Sequence, residues 1–181
     1  MMWTALAPAP PTKWRRDPTK DLLDKVDLRL ADTIDAPVLA KLLGEYMNST
    51  DWKGFIKYDE RLASTYLRNV IDFGIVPHIL ACEKKGGAVI GILSYELVQD
   101  FSEEPIAIAQ NLWVHEKYRR GPLGRLLVAM LITLATDEGA SVMHFPVMSH
   151  LPEANSLKNL LAKAGFHELG YVMRRKLDHG R

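Results

Sequence analysis

One stretch limits the fold of this chain more than any other. It runs "LWVHEKYRRGPLGRLLVAMLITL", from Leu112 to Leu134. An apolar run stops at a Gly-Pro turn. Apolar residues then return at Leu123, Leu126, Leu127, Met130, Leu131 and Leu134, the spacing of one face of an α-helix. A helix with such a face must bury it against another element. The next strand-like run, "SVMHFPVM", follows after "DEG". A strand–helix–strand unit of this kind places its two strands parallel, joined by a right-handed crossover.

The turn itself raises a question of chemistry. Gly121 is expected at the N-cap and Pro122 at the first helical position, where an N–H has no intrahelical partner anyway. The amides of Leu123, Gly124 and Arg125 remain free, with Arg120 and Gly121 just upstream. Arg119, Arg120 and Arg125 add positive charge at the positive end of the helix dipole. Gly124 offers no side chain to keep an anion away. Two readings stand side by side: a phosphate cradle, or a plain strand-to-helix turn whose arginines face water. A Walker A loop is excluded, since its closing Gly-Lys-Ser/Thr is missing.

The rest of the chain supplies a mixed sheet. "VDLRLAD" alternates like a half-buried strand, and Asp32 is placed to cap the helix that carries Ile34, Val38, Leu39, Leu42, Leu43 and Met47. "NSTDWKGFIK" reads as a loop. A second helix spans Asp59 to Phe73, stopped by Gly74 and Pro77. Three strands follow, "HILACEK", "AVIGILSYELV" and "IAIAQNLWV", as an antiparallel meander. After the fifth strand, "PEANSLKNLLAKAG" is a helix ending at Gly165, and "FHELGYVMRRKL" is a last strand or two short ones. The order is β-α-α-β-β-β-α-β-α-β, one mixed α/β domain over residues 26–181. Residues 1–25, with four prolines between positions 8 and 18, read as an extended or mobile arm bearing Trp3 and Trp14.

Composition narrows the function. The 23 basic residues nearly balance the 22 acidic ones, which argues against a nucleic-acid binder. No apolar run nears the roughly 20 residues that span a bilayer. Cys82 is the single cysteine, so neither an internal disulfide nor a cysteine zinc site is expected, and a reducing cytoplasm fits. No metal is expected.

The segment "NLWVHEKYRRGPLGRLLVAML" resembles the acetyl-CoA-binding segment of the GNAT superfamily of N-acetyltransferases. The family pattern is an apolar strand, then Arg/Gln-x-x-Gly-x-Gly/Ala, then an amphipathic helix. Arg119 matches its first position and Gly124 its last, while Pro122 replaces the middle glycine. "VDLRLADTIDAPVLAKLL" resembles the family's first strand and helix, and "AGFHEL" its Gly-Phe ending. The resemblance implies a GNAT-like fold with splayed fourth and fifth strands. It implies a pantetheine arm paired with the fourth strand around Leu112, Trp113 and Val114. The diphosphate would rest on the amides from Arg120 to Arg125, with Asn155 on the last helix as a further contact. It also implies direct attack of an amine acceptor on acetyl-CoA, with no covalent enzyme intermediate.

The match is incomplete where proton transfer is concerned. Leu161 stands where many members carry an acidic tyrosine, and residues 106–111 hold no glutamate to act as base. His150, Glu96 and Tyr171 are the remaining catalytic candidates. Tyr46, Trp52 and Phe55 give the loop after the first helix an aromatic character suited to a cationic amine, or simply to packing. An open sheet edge near the C-terminus would favour a homodimer. The reading that follows is an acetyl-CoA-dependent N-acetyltransferase of a small amine or protein amino group. A non-catalytic acyl-CoA-binding domain and an interaction protein using the arm are the alternatives.

Overall fold

The computed structural model describes residues 18–49, 57–99, 103–147 and 154–170. The elements are α1 (Pro18–Leu23), β1 (Val26–Leu30), α2 (Ala36–Ser49), α3 (Glu60–Asp72), β2 (His78–Glu83), β3 (Val89–Val98), β4 (Ile106–Val114), α4 (Leu123–Asp137), β5 (Val142–His144) and α5 (Ala154–Lys163). Short 3-10 turns precede α2 at Thr33–Asp35 and follow β4 at Glu116–Tyr118. The five strands form one sheet in the order β1-β2-β3-β4-β5. The first four are antiparallel neighbours, and β4 pairs with β5 in parallel. Among the described residues no helix is long and apolar enough to cross a membrane.

Local chemistry sets the helix boundaries. Asp32 caps the turn before α2: its side chain accepts from the Thr33 amide, while Asp35 accepts from the Asp32 amide at 2.8 Å. Asp35 also takes a two-pronged bond from Arg29 of β1, at 2.7 and 2.8 Å. The Arg29 guanidinium holds the Asp35 carboxyl below its ordinary value. Asp59 caps α3 through the Leu62 amide. At the other end Gly74 adopts φ +63°, and the amides of Gly74 and Ile75 close onto the Ile71 and Val70 carbonyls.

Helices cover both faces of the sheet. On one face α4 lays Leu123, Leu127 and Leu131, each fully buried, against Ile79, Leu93, Ala107 and Ala109, with Leu161 of α5 alongside. On the other, Leu39 of α2 and Leu67 of α3 close over Leu80, Cys82 and Ile92. Cys82 is thus a buried small hydrophobe. Its thiol, pushed up by burial, lies beside Arg29.

Three expectations change. The arm was read as extended or mobile over residues 1–25; its described end, Pro18–Leu23, is a helical turn, since proline suits the first helical position. It is fixed to the domain: Leu22 packs on the core, Lys84 Nζ donates to the Leu23 carbonyl and Arg125 to Thr19 Oγ1. Tyr46 lies inside α2, not in the following loop, because nothing before Ser49 stops the helix. Residues 166–170, expected to begin a strand, form none, and the remainder of that strand lies outside the described residues.

Candidate functional site

The site is a discontinuity in β4. Ser94 of β3 pairs with Asn111, but Tyr95 pairs with Ala109, so Gln110 is an extra residue on β4, a β-bulge. Pairing with β5 ends at the same place. Ile106, Ala107 and Ile108 face Val142, Met143 and His144, and nothing on β5 pairs with β4 beyond them. The two strands therefore separate from the bulge onward.

The backbone of the separated half has a defined direction. The His115 amide donates to the Ile90 carbonyl, across to β3. By the alternation of an antiparallel pair, the N–H and C=O groups of Leu112 and Val114 point the other way, toward the gap. Trp113 points its backbone to β3 and packs its side chain on the α2/α3 side. The Val114 carbonyl accepts a bond from Arg119 Nε at 2.9 Å, which lays that side chain along the edge of the gap.

A braced loop joins β4 to α4. His115 Nδ1 accepts from the Lys117 amide, Tyr118 Oη donates to Glu83 at 2.6 Å, and the Gly121 amide donates to the Tyr118 carbonyl at 3.0 Å. The helix begins one residue later than expected. Pro122 is the N-cap, with φ −78° and ψ −3°, and its carbonyl accepts the first intrahelical bond, from Leu126. The amides of Leu123, Gly124 and Arg125 are those that an α-helix leaves without internal partners. The Gly121 amide, by contrast, is engaged in the turn. Arg119, Arg120 and Arg125 are all exposed around this mouth.

Two glycines set the mouth in place. A Cβ on Gly124 would lie 3.2 Å from Leu160 Cδ1, so this residue lets α5 approach α4. Gly91 of β3 was absent from the expected site. A Cβ there would come 2.9 Å from Leu127 Cδ1 and 3.3 Å from the Ala81 Cβ. Its bareness lets the first turns of α4 settle onto the sheet. A glycine within an apolar strand run is the only signal the sequence offered for it.

Other expected site residues scatter. Asn155 is exposed in the first turn of α5. Leu161 is a core residue, 5% exposed. Glu96 is half-buried and, two residues along β3 from Ser94, shares its face of the sheet. Tyr46 is half-buried on α2. Tyr58, just before α3, covers Gly44 and donates from Oη to the Ala40 carbonyl, so this aromatic packs on α2. His150, Tyr171, Trp52 and Phe55 lie outside the described residues.

Known structures share this architecture. An acetyltransferase from Trypanosoma brucei superposes with a TM-score of 0.66 at 18% identity, over 84% of this chain and 99% of that one. An aminoglycoside acetyltransferase from an uncultured soil sample, in complex with sisomicin, gives 0.68 at 17% identity, over 86% and 98%. The ribosomal-protein-alanine N-acetyltransferase of Brucella melitensis gives 0.61 at 18% identity, over 83% and 99%. At such identities the likeness concerns the fold. No curated protein matches the sequence. Residues 45–166, however, match the model of the acetyltransferase (GNAT) family, and that span contains the bulged strand, the loop and both helices at the gap. The parted strands and the arginine-ringed helix mouth thus sit within a chain that belongs to the GNAT acetyltransferase family.

Proposed function

We propose that this chain is an acetyl-CoA-dependent N-acetyltransferase that acylates a primary amine by direct attack. One observation carries the reading: β4 loses its β5 partner after Ile108, and the first turn of α4 stands with its amides and arginines beside the same gap. Acetyl-CoA, when bound, supplies an activated acetyl thioester. The amides of Leu123, Gly124 and Arg125 suit its diphosphate, with Arg119, Arg120 and Arg125 adding charge. The gap-facing backbone groups of Leu112 and Val114 suit the amides of a pantetheine arm, as an added strand would. The remaining work is to hold an amine near the carbonyl and to move protons.

Titration calorimetry with acetyl-CoA tests the binding half. The wild type should bind, and Arg119→Glu/Arg120→Glu/Arg125→Glu should weaken binding about 100-fold, each lost charge-assisted contact being worth ~1 kcal/mol at an exposed site. Undiminished affinity in that variant refutes the site. Thiol release from acetyl-CoA should be followed with a panel of amines. Aminoglycosides and a peptide with an N-terminal alanine belong in it, since structurally similar enzymes carry those substrates in their names. Binding without release on every amine would leave a coenzyme-binding domain.

A further inference from the structure

The arm before Pro18 lies outside the described residues, but its junction with the domain is well defined. Thr19 and Leu22 stand three residues apart on α1, so both side chains lie on one face of the turn. Leu22 packs on the core that α4 covers. Thr19 Oγ1 accepts a bond from Arg125 Nη2 at 3.1 Å. The Leu23 carbonyl accepts from Lys84 Nζ at 2.8 Å. The chain that precedes α1 therefore joins the domain beside the first turn of α4, next to the proposed diphosphate site.

Arg125 belongs to both neighbourhoods. A guanidinium carries five N–H donors, and the bond to Thr19 uses one of them. Arg119, by contrast, lies along the gap against the Val114 carbonyl. The charge of the mouth is thus spread from the gap to the foot of the arm. Immediately upstream stands "KWRRD", where Lys13, Arg15 and Arg16 outnumber Asp17. An extended chain spans at most ~3.6 Å per residue, which keeps the Arg16 Cα within about 11 Å of the Thr19 Cα and the Arg15 Cα within about 14 Å. Both long side chains can reach the surroundings of Arg125. Acetyl-CoA would present two anionic groups there. One is the diphosphate; the other, across the ribose, is a 3′-phosphate monoester charged about −1.5 to −2 at neutral pH. The amides of one helix mouth converge on a single anion, so the second needs cations of its own.

We propose that Arg15 and Arg16 bind the 3′-phosphate of acetyl-CoA, so that the arm completes the coenzyme site. The inference rests on the proposed acetyl-CoA reading of the gap and the α4 mouth. Guanidinium groups suit phosphate oxygens through paired N–H bonds. The tether at α1 keeps both arginines at high local concentration beside the bound coenzyme. Asp21 and Asp24, on α1 and just after it, are the competing partners for the same two charges. Pairing with them would make the arm a structural tie that never meets the coenzyme.

Titration calorimetry with acetyl-CoA and with its 3′-dephospho form reads the contact directly. The wild type should bind acetyl-CoA about 30-fold more tightly than the 3′-dephospho form, in line with two charge-assisted contacts. Added salt should narrow that preference. Arg15→Ala/Arg16→Ala should bind the two forms within about threefold of each other, with the loss confined to acetyl-CoA, and should keep the wild-type melting midpoint without ligand. Hydrogen exchange over residues 13–17 gives a second readout. Slower exchange with acetyl-CoA than with the 3′-dephospho form supports the contact, and equal exchange opposes it. Equal wild-type affinity for both forms, a preference that survives in the variant, or a variant weakened equally toward both overturns the assignment. A lowered melting midpoint with an unchanged preference assigns the arginines to Asp21 and Asp24 instead. A wild type that binds neither form defeats the proposed function itself. One that binds both alike leaves that function standing and removes only the arm from the site.

Discussion

The two halves of β4 differ in pairing and in burial. From Ile106 to Ile108 the strand is paired on both sides, and Ala107 and Ala109 are buried under α4. From Asn111 to Val114 it is paired, among the described residues, only with β3, and its residues are exposed or half-buried. Gln110 separates the halves. The closed half behaves as a core strand, where small residues let a helix approach. The open half is an internal sheet edge, the kind of surface that natural proteins normally cover or pair. One inserted residue marks where a strand paired on both sides becomes one with a free edge.

Deleting Gln110 is the strongest way to break that contrast. Without the extra residue, Tyr95–Ala109 and Ser94–Asn111 become consecutive rungs of an unbroken ladder, and the bend that the bulge puts into β4 is lost. The open half would then run straight on beside β5, and the gap that Leu112 and Val114 face would narrow. Acetyl-CoA affinity is expected to fall at least ~100-fold, about 2.7 kcal/mol, by calorimetry. The far-UV circular dichroism should stay close to that of the wild type, since no helix contributes to the bulge. Full affinity in the deletion variant would show that the open half does not depend on Gln110.

Next in size is Gly91→Val. Gly91 pairs with Val114 at the far end of the open half. Its added Cβ would meet Leu127, fully buried, at 2.9 Å and the Ala81 Cβ at 3.3 Å. Neither neighbour can withdraw easily from a close-packed core. Overpacking should destabilise the fold by about 3 kcal/mol in urea unfolding. Lifting the first turns of α4 should also weaken acetyl-CoA binding about tenfold, or ~1.4 kcal/mol. A stability loss without any change in affinity would separate the packing of α4 from the anion site.

What the sequence disclosed and what it hid follow from the range of the interactions. Asp32, Asp59, Gly74 and Gly165 announce helix ends because a cap acts within a few residues. The helix of α4 was legible for the same reason, as was its Gly-Pro start, although Pro122 turned out to be the cap itself. The arm's prolines hid the turn at Pro18–Leu23, because proline suits both an extended chain and a first helical position. The bulge at Gln110 was hidden more deeply. It is a property of pairing with β3, not of the residues "AQN". Leu161 illustrates the converse. Its absent hydroxyl was plain in the sequence, and burial now accounts for a leucine there.

The smallest effect concerns Tyr95, which faces Ala109 on the closed side of the bulge. Its side chain is 0% exposed, and its Oη finds no hydrogen-bond partner among the described residues. Burial first, then the Glu138 carboxylate, holds the phenol well above its ordinary value, so it stays neutral. A buried hydroxyl without a partner costs ~1–3 kcal/mol. Tyr95→Phe removes that atom and keeps the ring, so it should stabilise the fold by ~1 kcal/mol, raising the melting midpoint about 2–4 °C for a chain of this size. Acetyl-CoA affinity should not change, because the closed half makes no part of the gap. A lower midpoint would mean that the hydroxyl bonds Glu138 in solution and ties β3 to the end of α4. The closed half would then be held by a polar tie as well as by apolar packing, and its contrast with the open half would be one of pairing alone.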